Sequence, residues 1–186
     1  MPISKNTNPA APQIGPQKKR RGGTASEYKK SLQEKQTLKR WYGLSERQFK
    51  KYVKETLLRM GKVEDVANEL IRRIEKRLDN AVFRLGFAIS RAHARQLVSH
   101  GIFLVNGKPV NIPSFELKKG DVITIKESKK SKPVFKDLAV SLQKKEAPLW
   151  LSLNKDKFEG KTIGEPSLQE VSPPAEISLI FEFYSR

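Results

Sequence analysis

The chain has 186 residues, of which 37% are hydrophobic, and its 37 Lys and Arg against 20 Asp and Glu give a formal net charge of +17 at pH 7. This length can bury one modest core or two small ones, so we expect two small domains and not the large body of a typical synthetase or modifying enzyme. The positive charge indicates a polyanionic partner, nucleic acid and not membrane, because the longest apolar runs, such as 102–105, are too short to span a bilayer.

Residue types that bind metal are scarce. The sequence contains no cysteine and two histidines, His93 and His100. It therefore offers no disulfide, no thiolate site and no third ligand beside the histidine pair, and we predict neither a metal nor a cofactor. No charged-then-apolar signal sequence opens the chain, which favours a cytoplasmic protein.

Positive charge is concentrated near the N-terminus. Residues 1–76 hold +11 of the +17, which predicts that this part contacts the polyanion. Residues 1–23 contain four prolines and then a basic cluster followed by Gly22-Gly23. We interpret them as an arm that is disordered when free and orders on RNA, with a solvated tail as the alternative. The RNA-binding candidates of this arm are Lys18, Lys19, Arg20 and Arg21.

Three helices are predicted in the first half of the chain. The first spans 26–42 and stops at Gly43. The second begins at Ser45, which opens the capping box Ser-Glu-Arg-Gln, and ends at Gly61. The third spans 64–85, where apolar side chains recur every four positions.

The second predicted helix has two kinds of face. Its apolar side chains keep to one face, so we interpret them as core and not as a platform for stacking bases. Its basic side chains keep largely to other faces and are binding candidates. The apolar set is Phe49, Tyr52, Val53, Leu57 and Met60, and the basic set is Arg47, Lys50, Lys51 and Lys54.

The segment from Ser90 is predicted to form a short helix that runs into a hairpin. Ser90 is a typical N-cap residue, Gly101 can end the helix in the left-handed conformation, and Asn106-Gly107 favours a type I′ turn. A small sheet is expected behind the helix. Its predicted strands are 102–105, 108–110 and 122–125.

This helix carries two arginines that are binding candidates. Arg91 and Arg95 are four residues apart and share a face, whereas Ala94, Leu97 and Val98 lie on another face that can pack on a core. We therefore expect one side to pack and the other to present guanidinium groups to phosphate.

The last third is predicted to contain a flexible basic loop at 126–133, a helix at 136–145 and a strand at 149–153. Near the end, apolar residues alternate with other residues, which predicts a further strand and a docked C-terminus. The alternating residues are Ile177, Leu179, Phe181 and Phe183.

Six motifs spread over most of the chain beyond the arm are similar to those of one family. They are Glu34-Lys-Gln-Thr-Leu-Lys-Arg40, Tyr42-Gly-Leu-Ser-Glu-Arg-Gln-Phe49, Arg77-Leu-Asp-Asn-Ala-Val-Phe-Arg-Leu-Gly-Phe-Ala88, residues 90–105, Val105-Asn-Gly-Lys-Pro-Val-Asn-Ile-Pro-Ser114 and Phe181-Glu-Phe-Tyr-Ser-Arg186. Together they resemble bacterial small-subunit ribosomal protein S-four. The central helix and hairpin alone are less specific, because they also occur in RNA-modifying enzymes and a tRNA synthetase.

The resemblance implies an α+β fold. A helical N-terminal domain would carry an inserted RNA-binding module of paired helices packed on a small β-sheet, and the C-terminal strand would return to the first domain. The predicted boundaries are 1–23 for the arm, 24–78 joined by 175–186 for the helical domain, 79–125 for the S-four-type module, and 126–174 for the remainder of the second domain.

The resemblance also implies a structural, non-catalytic role in the small subunit of the cytoplasmic ribosome. Such a protein is a primary binder of 16S rRNA that joins the particle early and helps organise its body. It lies near proteins S-five and S-three, beside the path by which mRNA enters, and its S-five interface influences decoding accuracy. Many relatives begin with a longer segment that can carry four zinc-binding cysteines; the arm here lacks them, so zinc is not carried over.

The predicted rRNA-binding set joins the basic faces to polar residues of the hairpin. We expect it to recognise shape more than sequence, because A-form RNA hides its base edges in a deep major groove. For any single residue the alternative is a solvated surface charge. Besides the four arm residues, the set is Lys39, Arg40, Arg47, Lys50, Lys51, Arg84, Ser90, Arg91, Arg95, Gln96, His100, Asn106, Lys108, Asn111 and Ser114.

Two alternative functions use the same module: a free-standing RNA-binding factor and an RNA-modifying enzyme. Gly160-Lys-Thr162 is similar to the end of a phosphate loop, but Lys155 occupies the position of its first glycine, so a nucleotide site is not predicted. With both histidines on one helix and no cysteine, no pair of nucleophile and base is compelling.

Overall fold

The computed structural model describes residues 26–130, 135, 138–143 and 145–185. The predicted arm and parts of the predicted loop 126–133 and helix 136–145 lie outside the described residues. The described helices are α1 Glu27–Trp41, α2 Glu46–Leu57, α3 Val66–Glu75, α4 Leu78–Arg84, α5 Arg91–Ser99, α6 Glu127–Lys130, α7 Leu138–Gln143, α8 Leu168–Val171 and α9 Ile177–Ser185. The strands are β1 Phe103–Val105, β2 Lys108–Pro109, β3 Val122–Ile125, β4 Leu151–Asn154 and β5 Glu159–Thr162. This mixture of helices and antiparallel sheet agrees with the predicted α+β class.

Local sequence signals fix several helix ends. At α2, the Gln48 backbone N–H donates to the Ser45 hydroxyl at 3.2 Å and the Ser45 N–H donates to the Gln48 side chain, so the capping box is confirmed. At α5, the His93 N–H donates to the Ser90 hydroxyl at 3.1 Å. Gly101 has φ +62°, which confirms the left-handed helix end.

The sheet is antiparallel throughout, with strand order β2-β1-β3-β5-β4. Val105 pairs with Lys108, so Asn106-Gly107 forms the predicted two-residue turn, with φ of 50° and 76°. Sequence patterns did not predict β5, whose Gly160 lies against the side chain of Leu85, the C-cap residue of α4. The sheet thus packs closely on α4.

Buried apolar side chains form two clusters. The first, here the helical core, joins α1, α2 and α3 to α8 and α9, with Leu38, Phe49 and Ile74 fully buried. The second, here the sheet core, joins α4, α5 and α7 to the sheet, with Phe103 and Leu142 fully buried. The two cores meet where α3 is followed by α4.

The prediction of one continuous helix over 64–85 is wrong. The chain breaks between α3 and α4, where Arg77 takes an extended conformation with φ −65° and ψ 139°. Arg77 forms a bridge with Glu116, and the Leu78 N–H donates to the Phe115 carbonyl at 2.8 Å. Pairing with this distant segment replaces the intrahelical hydrogen bonds, which the local apolar period does not reveal.

The predicted C-terminal strand is also wrong, because the segment forms helix α9. Ile177, Ile180, Phe181 and Tyr184 follow the spacing of one helix face, and all four pack in the helical core. The alternation of apolar residues at 177, 179, 181 and 183 therefore does not reflect a strand. The C-terminus is nevertheless docked as predicted, since α9 packs on α1 and α2.

Smaller differences occur in the last third of the chain. Helix α6 lies within the segment predicted as a loop, and α8 was not predicted. Helix α7 lies inside the predicted range 136–145, and β4 begins two residues after the predicted start at 149. None of the helices in the described ranges is both long and apolar enough to cross a bilayer.

Candidate nucleic-acid interface

Three predicted cations lie free on the surface of the helical part. Arg40 at the end of α1 and Arg47 and Lys50 on α2 are exposed, and their side chains have no hydrogen-bond or ion-pair partner among the described residues. Lys51 is 75% exposed, and its Nζ lies 3.8 Å from Glu55. A partner this distant holds a surface lysine weakly. These side chains are available to a phosphate backbone.

Lys39, in contrast, is held by a carboxylate. Its Nζ lies 3.0 Å from Glu46 Oε2, while Lys35 Nζ and the Tyr184 hydroxyl donate to Oε1 of the same group. Burial opposes ionisation of Glu46, but the hydrogen bonds from the two lysines and Tyr184 outweigh it and lower its pKa to about 2. Burial and then the hydrogen bond to Glu46 raise the pKa of Tyr184.

Arg84 is bound to a fully buried carboxylate, Glu75. Its Nε and Nη2 donate to the two Glu75 oxygens at 3.0 and 2.6 Å. The Tyr42 hydroxyl donates to Glu75 at 2.7 Å and the Asn80 amide at 2.6 Å. Burial and then the charge of Glu75 raise the pKa of Tyr42 well above its ordinary value. Glu75 therefore joins α1, α3 and α4.

Arg91 lies against aromatic rings. Its guanidinium carbon is 4.3 Å from the centre of the Trp41 ring and 4.7 Å from that of Phe83, and its Nε donates to Asn80 at 2.8 Å. Nη2 is buried and has no hydrogen-bond partner in the described structure. Burial and then the nearby charge of Arg84 lower the pKa of Arg91. The rings supply the attraction that no acceptor gives Nη2.

Arg95 crosses to the helical part. Its Nε donates to Asp79 Oδ2 at 2.9 Å, and its Nη1 donates to the Gly43 carbonyl. Arg77 donates to both Asp79 oxygens, at 3.0 and 2.7 Å. Sequence analysis expects α5 to present these guanidinium groups to phosphate, and in the structure protein groups engage both Arg91 and Arg95. Their role as rRNA contacts stays a prediction.

The end of α5 and the hairpin leave polar groups exposed. Gln96 and His100 are exposed, and their side chains have no hydrogen-bond partner in the described ranges. Lys108 is exposed on the edge strand β2. Asn111 lies beside the α5 terminus, since a Cβ on Gly101 would be 4.0 Å from Asn111 Cβ. All four side chains are exposed and therefore accessible to a ligand.

Two hairpin and cap residues already have structural partners. The Asn106 amide donates to Asp121 Oδ1 at 2.8 Å and accepts from the Val122 N–H at 2.9 Å. The Ser90 hydroxyl accepts from the His93 N–H.

Among the described residues, no three His, Asp or Glu side chains lie close enough together to hold a metal ion.

One cleft brings predicted residues of both parts together. It has a volume of about 240 Å³ and lies between α2, α3 and the segment that carries Ser114. Lys51 and Ser114 both line it. Its other lining residues are Gln48, Tyr52, Glu55, Arg73, Arg77 and Glu116.

The residues that sequence analysis missed are the buried polar partners of the arginines. Glu75, Asp79 and Asn80 are each at most 3% exposed. The sequence did contain an indication of these buried carboxylates, because Glu75 and Asp79 fall among the apolar positions of the predicted helix 64–85. A carboxylate on a buried face needs a charged or hydrogen-bonding partner, which the nearby arginines supply.

Comparison with known proteins gives matches over both parts of the chain. Residues 1–75 match the family model described as ribosomal protein S4/S9 N-terminal domain, and residues 76–123 match the S4 domain model. The small ribosomal subunit protein uS4 of Thermotoga petrophila is 43% identical over 162 residues, which are 87% of this chain and 76% of the relative.

Two further relatives give the same result. The uS4 protein of a Sulfurihydrogenibium species is 46% identical over 86% of this chain and 78% of the relative. That of a Thermoanaerobacter species is 48% identical over 86% of this chain and 75% of the relative. With such identity across most of both sequences, the chain belongs to the small ribosomal subunit protein uS4 family.

Proposed function

We propose that this protein is a structural constituent of the small ribosomal subunit that binds 16S rRNA. The observation that carries the proposal is the similarity to uS4 proteins over 86% or more of the chain. The net charge of +17 suits a polyanionic partner. The family is one of ribosomal proteins and not of enzymes, in agreement with the non-catalytic role that the sequence predicts.

The proposed contacts with rRNA use the exposed cations of both parts. The side chains of four cations have no hydrogen-bond or ion-pair partner in the described structure and can each neutralise a phosphate: Arg40, Arg47 and Lys50 on the helical part and Lys108 on the hairpin. Exposed polar groups such as Gln96 can reach 2′-hydroxyls or loop bases. Since A-form RNA hides its base edges in a deep major groove, we expect recognition of RNA shape more than of sequence.

The finer role that we propose is that of a primary binder. It would bind 16S rRNA without other proteins, nucleate assembly of the subunit body, and lie near the path by which mRNA enters, with proteins S-five and S-three as neighbours. An influence on translational accuracy through S-five belongs to the same proposal. Two cores joined by a buried polar network suit this role, because such a scaffold can hold two RNA segments in a fixed relation.

The proposed domains follow the predicted boundaries. The helical rRNA-binding domain would comprise 24–78 joined by 175–186, and the S-four-type module would comprise 79–125, with 126–174 as its continuation. Packing of α9 on α1 and α2 supports the inclusion of the C-terminus in the first domain.

The test combines two measurements. First, the purified protein should bind 16S rRNA with no other ribosomal protein present, and bind 23S rRNA of similar charge per nucleotide much more weakly. Second, small subunits washed in high salt should retain about one copy of the protein per particle. Substoichiometric amounts would favour a free-standing factor, and equal affinity for the two RNAs would contradict primary binding.

A further inference from the structure

A group of polar side chains lies between the helical core and the sheet core. We call it the junction network. Its members share hydrogen bonds or ring contacts that connect α1, α3, α4 and α5. They are Tyr42, Glu75, Arg77, Asp79, Asn80, Arg84, Arg91 and Arg95.

The junction network is withdrawn from solvent. Glu75 is 0% exposed and Arg77 and Asp79 are each 2% exposed. Buried charges are strongly unfavourable unless they are paired, and here each carboxylate accepts from at least two donors. Removing either carboxylate would leave buried guanidinium groups without their partner.

Two arginines of α5 connect the cores directly. Arg95 donates from Nε to Asp79. It also donates from Nη1 to the carbonyl of Gly43, which lies 52 positions earlier in the sequence. Arg91 lies over the rings of Trp41 and Tyr42, which belong to α1 and its C-cap. A planar guanidinium group that is bound at several points fixes the orientation of the two cores as well as their distance, which a lysine ammonium group does not.

The same contacts limit what these arginines can offer to RNA. Two of the three Arg95 nitrogens donate to protein oxygens within 3 Å, and its side chain is 29% exposed. Arg91 Nη2 is buried, and the space beside it, lined by Tyr42, Asp79 and Asn80 among others, is too narrow for a water molecule. Each guanidinium therefore has few donor groups left for a phosphate.

We propose that Arg91 and Arg95 are positioning residues that fix the orientation of the sheet core relative to the helical core before RNA arrives. The inference rests on the proposed function and deepens it. The rRNA-contacting groups of the two cores then form one preorganised surface, and binding loses less free energy to ordering. Affinity for 16S rRNA depends on these arginines, although their charges do not neutralise phosphates.

The first test uses a variant for which a phosphate-contacting role and a positioning role of Arg95 predict opposite changes in affinity for 16S rRNA. Asp79→Asn removes a negative charge beside Arg77 and Arg95. If Arg95 contacts phosphate, freeing it should strengthen binding to 16S rRNA. If it is a positioning residue, Asp79→Asn should weaken binding about tenfold because orientation is lost.

Arg95→Gln provides a second variant in case Asp79→Asn does not fold. We expect it to weaken binding about tenfold at every salt concentration, leaving the slope of log affinity against log salt unchanged. The matched control, Arg47→Gln, replaces an exposed cation and should reduce that slope by about 0.7 to 0.9. Small-angle scattering of free Arg95→Gln should also show a broader distribution of distances than the wild type.

Each outcome bears on one of the two proposals. A reduced salt slope for Arg95→Gln, equal to that of Arg47→Gln, would overturn the positioning role, as would tighter binding by Asp79→Asn or unchanged affinity of Arg95→Gln. Failure of the wild-type protein to prefer 16S rRNA would instead refute the proposed function. A spectrum of native helicity in each variant shows that lost binding does not reflect unfolding.

Discussion

At the scale of single residues, Glu46 connects three helices through one carboxylate. It begins α2, accepts from Lys35 at 2.8 Å and Lys39 at 3.0 Å on α1, and accepts from Tyr184 of α9 at 2.9 Å. Its position in the first turn of α2 also favours a negative charge, because the helix dipole is positive there. Ionisation of this group therefore stabilises the helical core.

Replacement of Glu46 should make the stability of the helical core less dependent on pH. The pKa of Glu46 in the folded protein is about 2, below its ordinary value of 4.5. A lowered pKa means that its contribution is present above about pH 4.5 and is lost as pH falls towards 2. At neutral pH, Glu46→Gln should reduce the free energy of unfolding by about 1 kcal/mol or less, because the side chain is 46% exposed.

Urea unfolding of wild type and Glu46→Gln at pH 7 and pH 3 measures this effect. The difference between the two proteins should shrink at the lower pH, since the wild-type carboxylate then loses its advantage. Glu127→Gln is the control, because Glu127 is 83% exposed and pairs with Lys130 on the surface. A difference that is constant with pH would show that the hydrogen bonds matter and the charge does not.

At the scale of elements, α9 is defined by contact with the rest of the chain. Ile177 and Ile180 are buried, and Tyr184 reaches Glu46 on α2. The neighbouring Phe183 lies under Lys35 Nζ at 4.4 Å from its ring centre. The helix thus places apolar side chains in the helical core and an aromatic ring over a cation, an arrangement that a strand of the same residues could not reproduce.

Two alanine substitutions can show whether residues 177–185 form a helix or a strand in solution. Ile180 is 0% exposed, so Ile180→Ala should lower the free energy of unfolding by about 2 to 5 kcal/mol. Leu179 is only partly buried, and Leu179→Ala should lower it by about 1 kcal/mol or less. Denaturant midpoints give the comparison. A strand with alternating faces would bury Leu179 and expose Ile180, so the reverse order would contradict α9.

Which elements can be predicted from sequence depends on how local their causes are. The cap at Ser90, the capping box at Ser45 and the turn at Asn106-Gly107 involve neighbours in sequence, and all three are confirmed. The break at Arg77 depends on pairing with Glu116, 39 positions away, and sequence periodicity cannot register it. Tertiary contacts decided the cases where local preference was ambiguous.

In the candidate site too, features with local causes could be predicted from sequence and features that depend on distant contacts could not. Exposure of Arg47 and Lys50 follows from the amphipathic pattern of α2 and could be predicted. The engagement of Arg91 and Arg95 by protein groups could not, because helix geometry places two residues on one face without saying what that face meets. The buried acidic residue at position 79 was the available warning.

At the scale of the whole molecule, charge and scaffold have separate roles. Acidic groups within the junction network and around Glu46 engage Arg84, Arg95 and Lys39. These cations therefore hold the protein together, and the cations without such partners are left for RNA. The net charge attracts the polyanion at long range, whereas the number of phosphate contacts is set by the unpaired set.

The salt dependence of 16S rRNA binding should therefore follow the unpaired cations and not the total charge. Replacing Arg40, Arg47 and Lys50 together by Gln should reduce the slope of log affinity against log salt by about 2 to 3, because each lost phosphate contact removes about 0.7 to 0.9. Lys76→Gln is the control, since Lys76 Nζ lies 3.0 Å from Glu165 Oε1 and its side chain is largely buried, so it should leave the slope unchanged. Filter binding at a series of potassium concentrations gives the slopes. If Lys76→Gln lowered the slope by as much per charge as the triple variant, attraction by net charge alone would account for binding, and the division between paired and unpaired cations would have no functional meaning.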